Sequence, residues 1–305
     1  MAQASIPVDL FNPGQVFACM GILEGANILL GNAQGHVCGR FVWSHSGDRF
    51  CIKTDGNANP VEEVLKFVKA AKVKWLSPRR DLKERDRGDT EVLDGIAASE
   101  NPKNADLPGV LRGEHNGKEY EITFGFWADG SSRFATTFKK STNGASAYIR
   151  LKNALDAIRQ WETKDVAADP LNKEARTGPL FRLDPRGSVD PIQGGFSPDS
   201  LRKGVRGGRK GVRGGLDVRV ATYPICELLA IIGLEHARPE RLDSNRFAYC
   251  VWNCWLPPVL ARAAIGGPLG FGRMRRFFVE HEEVKKGGDR KMNQVIEELT
   301  HDLRD

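Results

Sequence analysis

Between residues 165 and 215 the chain gives up apolar periodicity altogether. Prolines at 170, 179, 185, 191 and 198 recur there among closely spaced glycines. Proline withholds a backbone donor and glycine resists ordering, so the interior of a helix or strand does not run through such a stretch. A connection this long without periodicity is either functional or an internal boundary. It restricts the fold more than any other feature, because the regular elements must come from the two flanks. With 305 residues and a prior of about 150 per domain, the expected organisation has three parts. These are an N-terminal α+β subdomain over 1–164, a Gly/Pro/Arg-rich loop region over 165–222 and a mostly helical C-terminal subdomain over 223–305.

The first flank opens with Asn12-Pro13-Gly14 ahead of Val16, Phe17, Met20, Ile22, Leu23 and Ile28. Asn12 caps, Pro13 supplies the preset φ of a first helical residue, and the helix should fail by Gly31. Phe41-Val-Trp43 and Phe50-Cys-Ile52 read as a hairpin of aromatic and β-branched residues. Helical spacing returns over 60–73, with Val61, Val64, Leu65 and Val68 on one side and Glu62, Glu63, Lys66 and Lys69 on the other. A second hairpin is expected where 119–127 and 133–138 flank Ala128-Asp-Gly-Ser-Ser132. Ser146 would cap a helix running to Trp161. Beyond the aperiodic stretch, helices are expected over 224–234, around 258–264 and over 292–303, with a strand over 246–252. The two proline-opened helices echo one another: Gly-Ile-Leu-Glu24 follows Pro13 as Gly-Leu-Glu235 follows Pro224. The fold class is therefore α+β and irregular, with antiparallel hairpins, flanking helices and room for two subdomains.

Composition excludes several classes. Hydrophobic residues at 40% and charged residues at 28% rule out a chain disordered throughout. No uninterrupted run of about 18 apolar residues marks a spanning helix. The first ten residues contain Asp9 and no basic residue, unlike a secretory signal. A cytoplasmic protein without membrane partners is expected, its six cysteines serving as small apolar groups. The net charge of +6 is mild; what matters is whether the positive residues cluster.

They do. The unit Arg-Lys-Gly-Val-Arg-Gly-Gly is written twice without interruption over 202–215, placing Arg202, Lys203, Arg206, Arg209, Lys210 and Arg213 in 14 residues with no acid. Like charges on glycine repel and stay mobile in isolation. A phosphate backbone reverses that balance, because counterions are released and glycines admit the main chain closely. A second cluster comprises Arg273, Arg275 and Arg276 within Gly270-Phe-Gly-Arg-Met-Arg-Arg-Phe-Phe278. Arginine interleaved with aromatics suits phosphate binding and base stacking, and the same pattern suits a strand with Phe277 in the core. The run 72–89 holds Lys72, Lys74, Arg79, Arg80, Lys83, Arg85 and Arg87 against four acids. It reads as an exposed face, with Arg79-Arg80 after Pro78 shaped like a phosphate-facing turn.

Catalytic signatures are missing. Cys250-x3-Cys254 lacks a second ligand pair at zinc spacing. The glycines of 204–215 do not end in the Lys-Ser or Lys-Thr of a nucleotide loop. The six histidines are scattered. No cofactor and no metal are expected.

Three segments carry a resemblance: Ile6-Pro-Val-Asp-Leu-Phe-Asn-Pro-Gly-Gln-Val-Phe-Ala-Cys-Met-Gly-Ile-Leu-Glu24, Phe196-Ser-Pro198 and Tyr223-Pro-Ile-Cys-Glu-Leu-Leu-Ala-Ile-Ile-Gly-Leu-Glu235. Together they resemble a CRISPR-associated family, the short large-subunit-like component of subtype I-G (formerly I-U) Cascade effector complexes. The resemblance implies a non-catalytic subunit at one end of a complex guided by CRISPR RNA. Its partners would be that RNA, target double-stranded DNA, other Cascade subunits and a helicase-nuclease recruited in trans. Such a subunit reads a flanking motif and helps to open the duplex, while base pairing reads sequence. The doubled Arg-Lys unit is not part of the resemblance, so the expected DNA contacts rest on charge clustering alone. Two rival classes stand beside this reading. One is a metal-independent endoribonuclease that processes CRISPR RNA with His115 or His45 as general base. The other is a purely structural assembly subunit packing through aromatics around Phe124, Phe126 and Trp127.

Overall fold

Two helices buried on nearly every side stand at the centre of the protein. The structure, a computed structural model, describes residues 1–31, 36–75, 109–124, 154–175, 222–243, 246–267, 269, 272–281 and 292–298. Helix α1 (Pro13–Ala26) buries all of its residues. Asn12 caps it, its Oδ1 accepting the Gln15 N–H at 3.3 Å, and a π-helical turn over Asn27–Gly31 ends it. With that turn, Pro13–Gly31 spans 19 residues at mean hydropathy 1.3, enough by length and composition to cross a bilayer, although the sequence shows no continuous apolar run. Its apolar surface is instead covered by protein. Helix α3 (Pro224–His236) covers much of it and is itself buried from Pro224 to Leu234.

Gly21 and Gly233 set the crossing of these two helices. A Cβ on Gly21 would run into the carbonyl oxygen of Leu229, four residues before Gly233, and a Cβ on Gly233 would run into that of Phe17, four residues before Gly21. The contact is reciprocal, as across a two-fold axis. Glycine inside a helix costs about 1 kcal/mol relative to alanine. Burying each Leu or Ile of the seam contributes about 1.5–3 kcal/mol, so close approach outweighs the propensity loss.

Among the described residues, three antiparallel sheets surround the pair. The first joins β1 (Ala2–Pro7), β3 (Arg49–Thr54) and β2 (Val37–Val42), in that order, with Ile6, Phe41, Phe50 and Ile52 facing the helices. Helix α2 (Pro60–Ala70), capped by Asn59, follows it and packs on α1. The second sheet joins β4 (Lys72–Trp75), β5 (Gly109–His115) and β6 (Lys118–Phe124). The third orders β10 (Met292–Glu297), β9 (Met274–His281), β8 (Arg246–Trp252) and β7 (Glu240–Arg241), with α4 (Pro258–Gly266) against β8. Phe41 meets Trp252 edge-on at 5.1 Å, and Tyr249 stacks on Phe277 at 5.3 Å while its hydroxyl donates to the Leu10 carbonyl. Side chains from Ile6 to Val279 thus belong to one hydrophobic core, to which both flanks of the aperiodic stretch contribute.

The fold is α+β, with antiparallel hairpins and flanking helices. Four expectations need correction in detail. Of the segment expected as a C-terminal helix over 292–303, residues 292–297 are strand β10, paired to β9, and 299–303 lie outside the described residues. The C-terminal flank, expected to be mostly helical, supplies a four-stranded sheet besides its two helices. The helix read over 60–73 stops at Ala70, and Lys72 already pairs with Arg112. Strand β6 pairs backwards with β5 through an Asn116-Gly117 turn, whose φ angles of 51° and 75° are left-handed. The predicted partner at 133–138 lies outside the described residues, as do the residues expected to be helical over 146–153; residues 154–158 are helical.

Candidate nucleic-acid interface

The outer face of the first sheet is the described surface best suited to a polyanion. Register aligns Gln3, Lys53 and Cys38 across the three strands, then Ser5, Cys51 and Arg40, then Pro7, Arg49 and Val42. Side chains alternate across a strand, so these nine share the side away from the core. None is acidic, and three are cationic. Arg49 is exposed and spends part of its fork on Ser5, donating from Nε to Oγ at 2.7 Å and from Nη2 to the carbonyl at 2.8 Å. Asp55 closes one end of the face and accepts the His36 N–H at 2.9 Å.

Trp255 lies against this face. The segment after β8 is tied to the edge of β2 by a two-way backbone bridge: the Gly39 N–H donates to the Leu256 carbonyl at 2.9 Å, and the Leu256 N–H donates back at 3.0 Å. The Gly39 carbonyl also accepts the Trp252 indole N–H. Glycine is required at 39, because a Cβ there would sit 2.8 Å from the Phe50 ring. Leu256 being fixed on β2, the neighbouring Trp255 meets Arg40 at 4.5 Å and Lys53 at 4.7 Å from the ring centroid. Each contact at a partly exposed site contributes about 0.5–1 kcal/mol. Neither cation has a carboxylate partner among the described residues, and the Arg40 Nε is buried with no acceptor. Trp255 is half-buried, so part of its ring stays accessible. Beside the cations, burial pushes the Cys38 thiol up, a shift that Lys53 opposes and Asp55 reinforces.

Arg273 is exposed, without a side-chain partner among the described residues; its backbone N–H donates to Asn253 Oδ1 at 3.0 Å, close to this patch. Arg275 and Arg276 are placed differently. Arg275 donates two hydrogen bonds to Glu297, and its guanidinium lies 5.7 Å from the Trp43 ring. Arg276 bonds Glu240 and Glu298 and covers Phe278. Phe277 between them is fully buried, so this segment takes the strand form of its two sequence readings. Arg79, Arg80 and the six cations Arg202, Lys203, Arg206, Arg209, Lys210 and Arg213 lie outside the described residues, as do the aromatics Phe126 and Trp127 and the side chain of Phe124.

Other chemistry is confined. His115 is only 5% exposed and faces Glu63, Nε2 to Oε2 at 3.4 Å, while His45 is exposed in the turn between β2 and β3. An open cleft of about 550 Å³ lies nearby, lined by Ala70, Lys72, Arg112, Gly113, Glu114, Gly117 and Glu119. Its Arg112 is already paired with Glu121 and Glu119. Among the described residues no group of three or more His, Cys, Asp or Glu side chains is placed to hold a metal. Burial raises the Cys250 thiol to about 11, which keeps it protonated and unreactive at neutral pH. Sequence reading misses Trp255, Arg40 and Lys53, since only strand register and the Gly39–Leu256 bridge bring positions so far apart together. Set against known proteins, the chain matches no family model, no curated protein and no solved structure.

Proposed function

We propose that this chain is a non-catalytic subunit of an RNA-guided CRISPR Cascade complex that grips the sugar-phosphate backbone of target DNA. In this role it assists flanking-motif recognition and strand opening in the cytoplasm and offers a surface to a helicase-nuclease acting in trans. The observation that carries the nucleic-acid part is the outer sheet face, where Arg40 and Lys53, neither with a carboxylate partner among the described residues, lie over the half-buried Trp255 indole, with Asp55 only at one end. Phosphate contacts position a protein on nucleic acid and leave sequence choice to other groups, here to the guide. The CRISPR assignment is supported by the three segments that resemble the family. The doubled Arg-Lys-Gly-Val-Arg-Gly-Gly unit supports a second phosphate-binding element, and exposed Arg273 extends the first.

The test is target binding by the assembled complex, measured with and without this chain across a salt series. Replacing Arg202, Lys203, Arg206, Arg209, Lys210 and Arg213 by serine is expected to weaken binding with sequence preference unchanged. The slope of log affinity against log salt should fall by about 0.9 for each phosphate of duplex DNA that is no longer neutralised. Full target binding by a complex lacking this chain overturns the proposal.

A further inference from the structure

We propose that Trp255, with Arg40 and Lys53, forms a seat for single-stranded nucleic acid, in which an unpaired base stacks on the indole and its flanking phosphates pair with the two cations. The inference rests on the nucleic-acid reading above and specifies what that site takes. Duplex bases hide their faces against one another, so a partly accessible aromatic ring among cations has nothing to stack on until a strand is unpaired. A ring face accepts any base, which suits a subunit that leaves sequence to a guide.

Three features favour a polynucleotide over an acidic peptide. The cations lie within 4.5 and 4.7 Å of the same ring centroid, so charge and stacking surface are offered together. Arg40 meets that ring and no carboxylate among the described residues, and its Nε is buried without an acceptor, so no described acid occupies the guanidinium in place of an incoming anion. Arg49 adds exposed positive charge on the same sheet face, and Arg273 is exposed with its backbone bonded to Asn253, two residues from Trp255.

The probes are a fluorescein-labelled 15-nucleotide oligo-dT and the matching 15-base-pair duplex, bound to the full-length chain and followed by anisotropy across a salt series. W255A is expected to weaken oligo-dT binding by about 5- to 150-fold, the range for one stacked base, with the salt slope unchanged. W255F should recover most of that affinity, and neither change should move duplex affinity. R40Q combined with K53Q should lower the single-strand salt slope by about 1.4, at about 0.7 per phosphate neutralised. Thermal unfolding of each variant separates weakened binding from a failure to fold; where W255A fails to fold, W255F and the double glutamine variant carry the test. Unchanged oligo-dT affinity in the folded W255A variant overturns the inference; if serine replacement over 202–213 then abolishes binding, the broader nucleic-acid reading survives. Binding of neither probe, by the chain or its assembly, sinks that reading as well. Capture of poly-glutamate through Arg40 and Lys53 with no dependence on Trp255 assigns the face to an acidic protein and rejects the inference.

Discussion

Glu24 is wholly inaccessible in the last turn of α1, and its carboxylate accepts two hydrogen bonds of 2.7 Å from Nε and Nη2 of Arg262 on α4. Arg262 is 38% exposed, so one end of the pair is solvated while the other is dry. Breaking such a pair from the exposed side strands the buried charge. R262A is therefore expected to destabilise the protein by about 3 kcal/mol, the low end for a buried pair, read as a lower denaturation midpoint. His236, at the end of α3, faces Glu24, Arg262 and Glu235; burial is the main cause that lowers its pKa below 6.5, helped by Arg262 and opposed by the two glutamates. The unfolded chain then binds a proton that the folded chain resists. Stability consequently falls as pH drops through and below 6.5 and is unaffected by this group above it. Denaturation of wild type and H236Q between pH 5 and 7.5 should show a steeper acid loss in wild type; parallel profiles would remove His236 from the account.

At the scale of elements, the Gly21–Gly233 crossing is where substitution hurts most for the fewest atoms. A single methyl at either position meets a backbone carbonyl that cannot rotate away. G21A and G233A are each expected to cost at least about 1–3 kcal/mol despite alanine's better helix propensity, with the melting temperature as readout. Elements opened by asparagine and proline are legible in the sequence, because cap and preset φ act locally: α1 starts after Asn12 and α2 after Asn59, as spacing predicts. Strand β8 likewise occupies 246–252 as read. Strand β10 is not legible. Val295 and Ile296 look like part of a helical stripe, yet Ile296 is 43% exposed, and the segment is held by the open edge of β9 and the Arg275–Glu297 pair. Tertiary pairing overrides a weak local preference there. Asn116-Gly117 is a strong hairpin signal that passes unnoticed beside Asp129-Gly130. Strand β1, Ala-Gln-Ala-Ser-Ile-Pro, has too little apolar alternation to stand out until β3 pairs with it. The candidate site follows the same logic: clustered charge is visible in the sequence, whereas Trp255 over Arg40 and Lys53 is a product of register.

For the whole molecule, the decisive fact is that one core draws on both ends of the chain. Cutting the polypeptide between 176 and 221 leaves each part with a core helix stripped of its main packing partner. The separate parts are expected to be insoluble, whereas co-expressed parts should purify together as a one-to-one pair; soluble, folded material from either part alone would contradict a shared core. The cationic sheet face lies on the opposite side of the first sheet from α1, so its cations can be replaced with little effect on that core.

The helix seam also sets a timetable for biosynthesis. Roughly two hundred residues separate the end of α1 from the start of α3, and bringing ends so distant together costs about 5 kcal/mol of chain entropy by the (3/2)RT ln n rule. A ribosome adding ~5–20 residues per second needs about 10–40 s to deliver the second helix after the first has emerged. Throughout that wait the nascent chain displays greasy surface with no mate. Yield in a foreign host should therefore follow the supply of holding chaperones more closely than the finished protein's melting point.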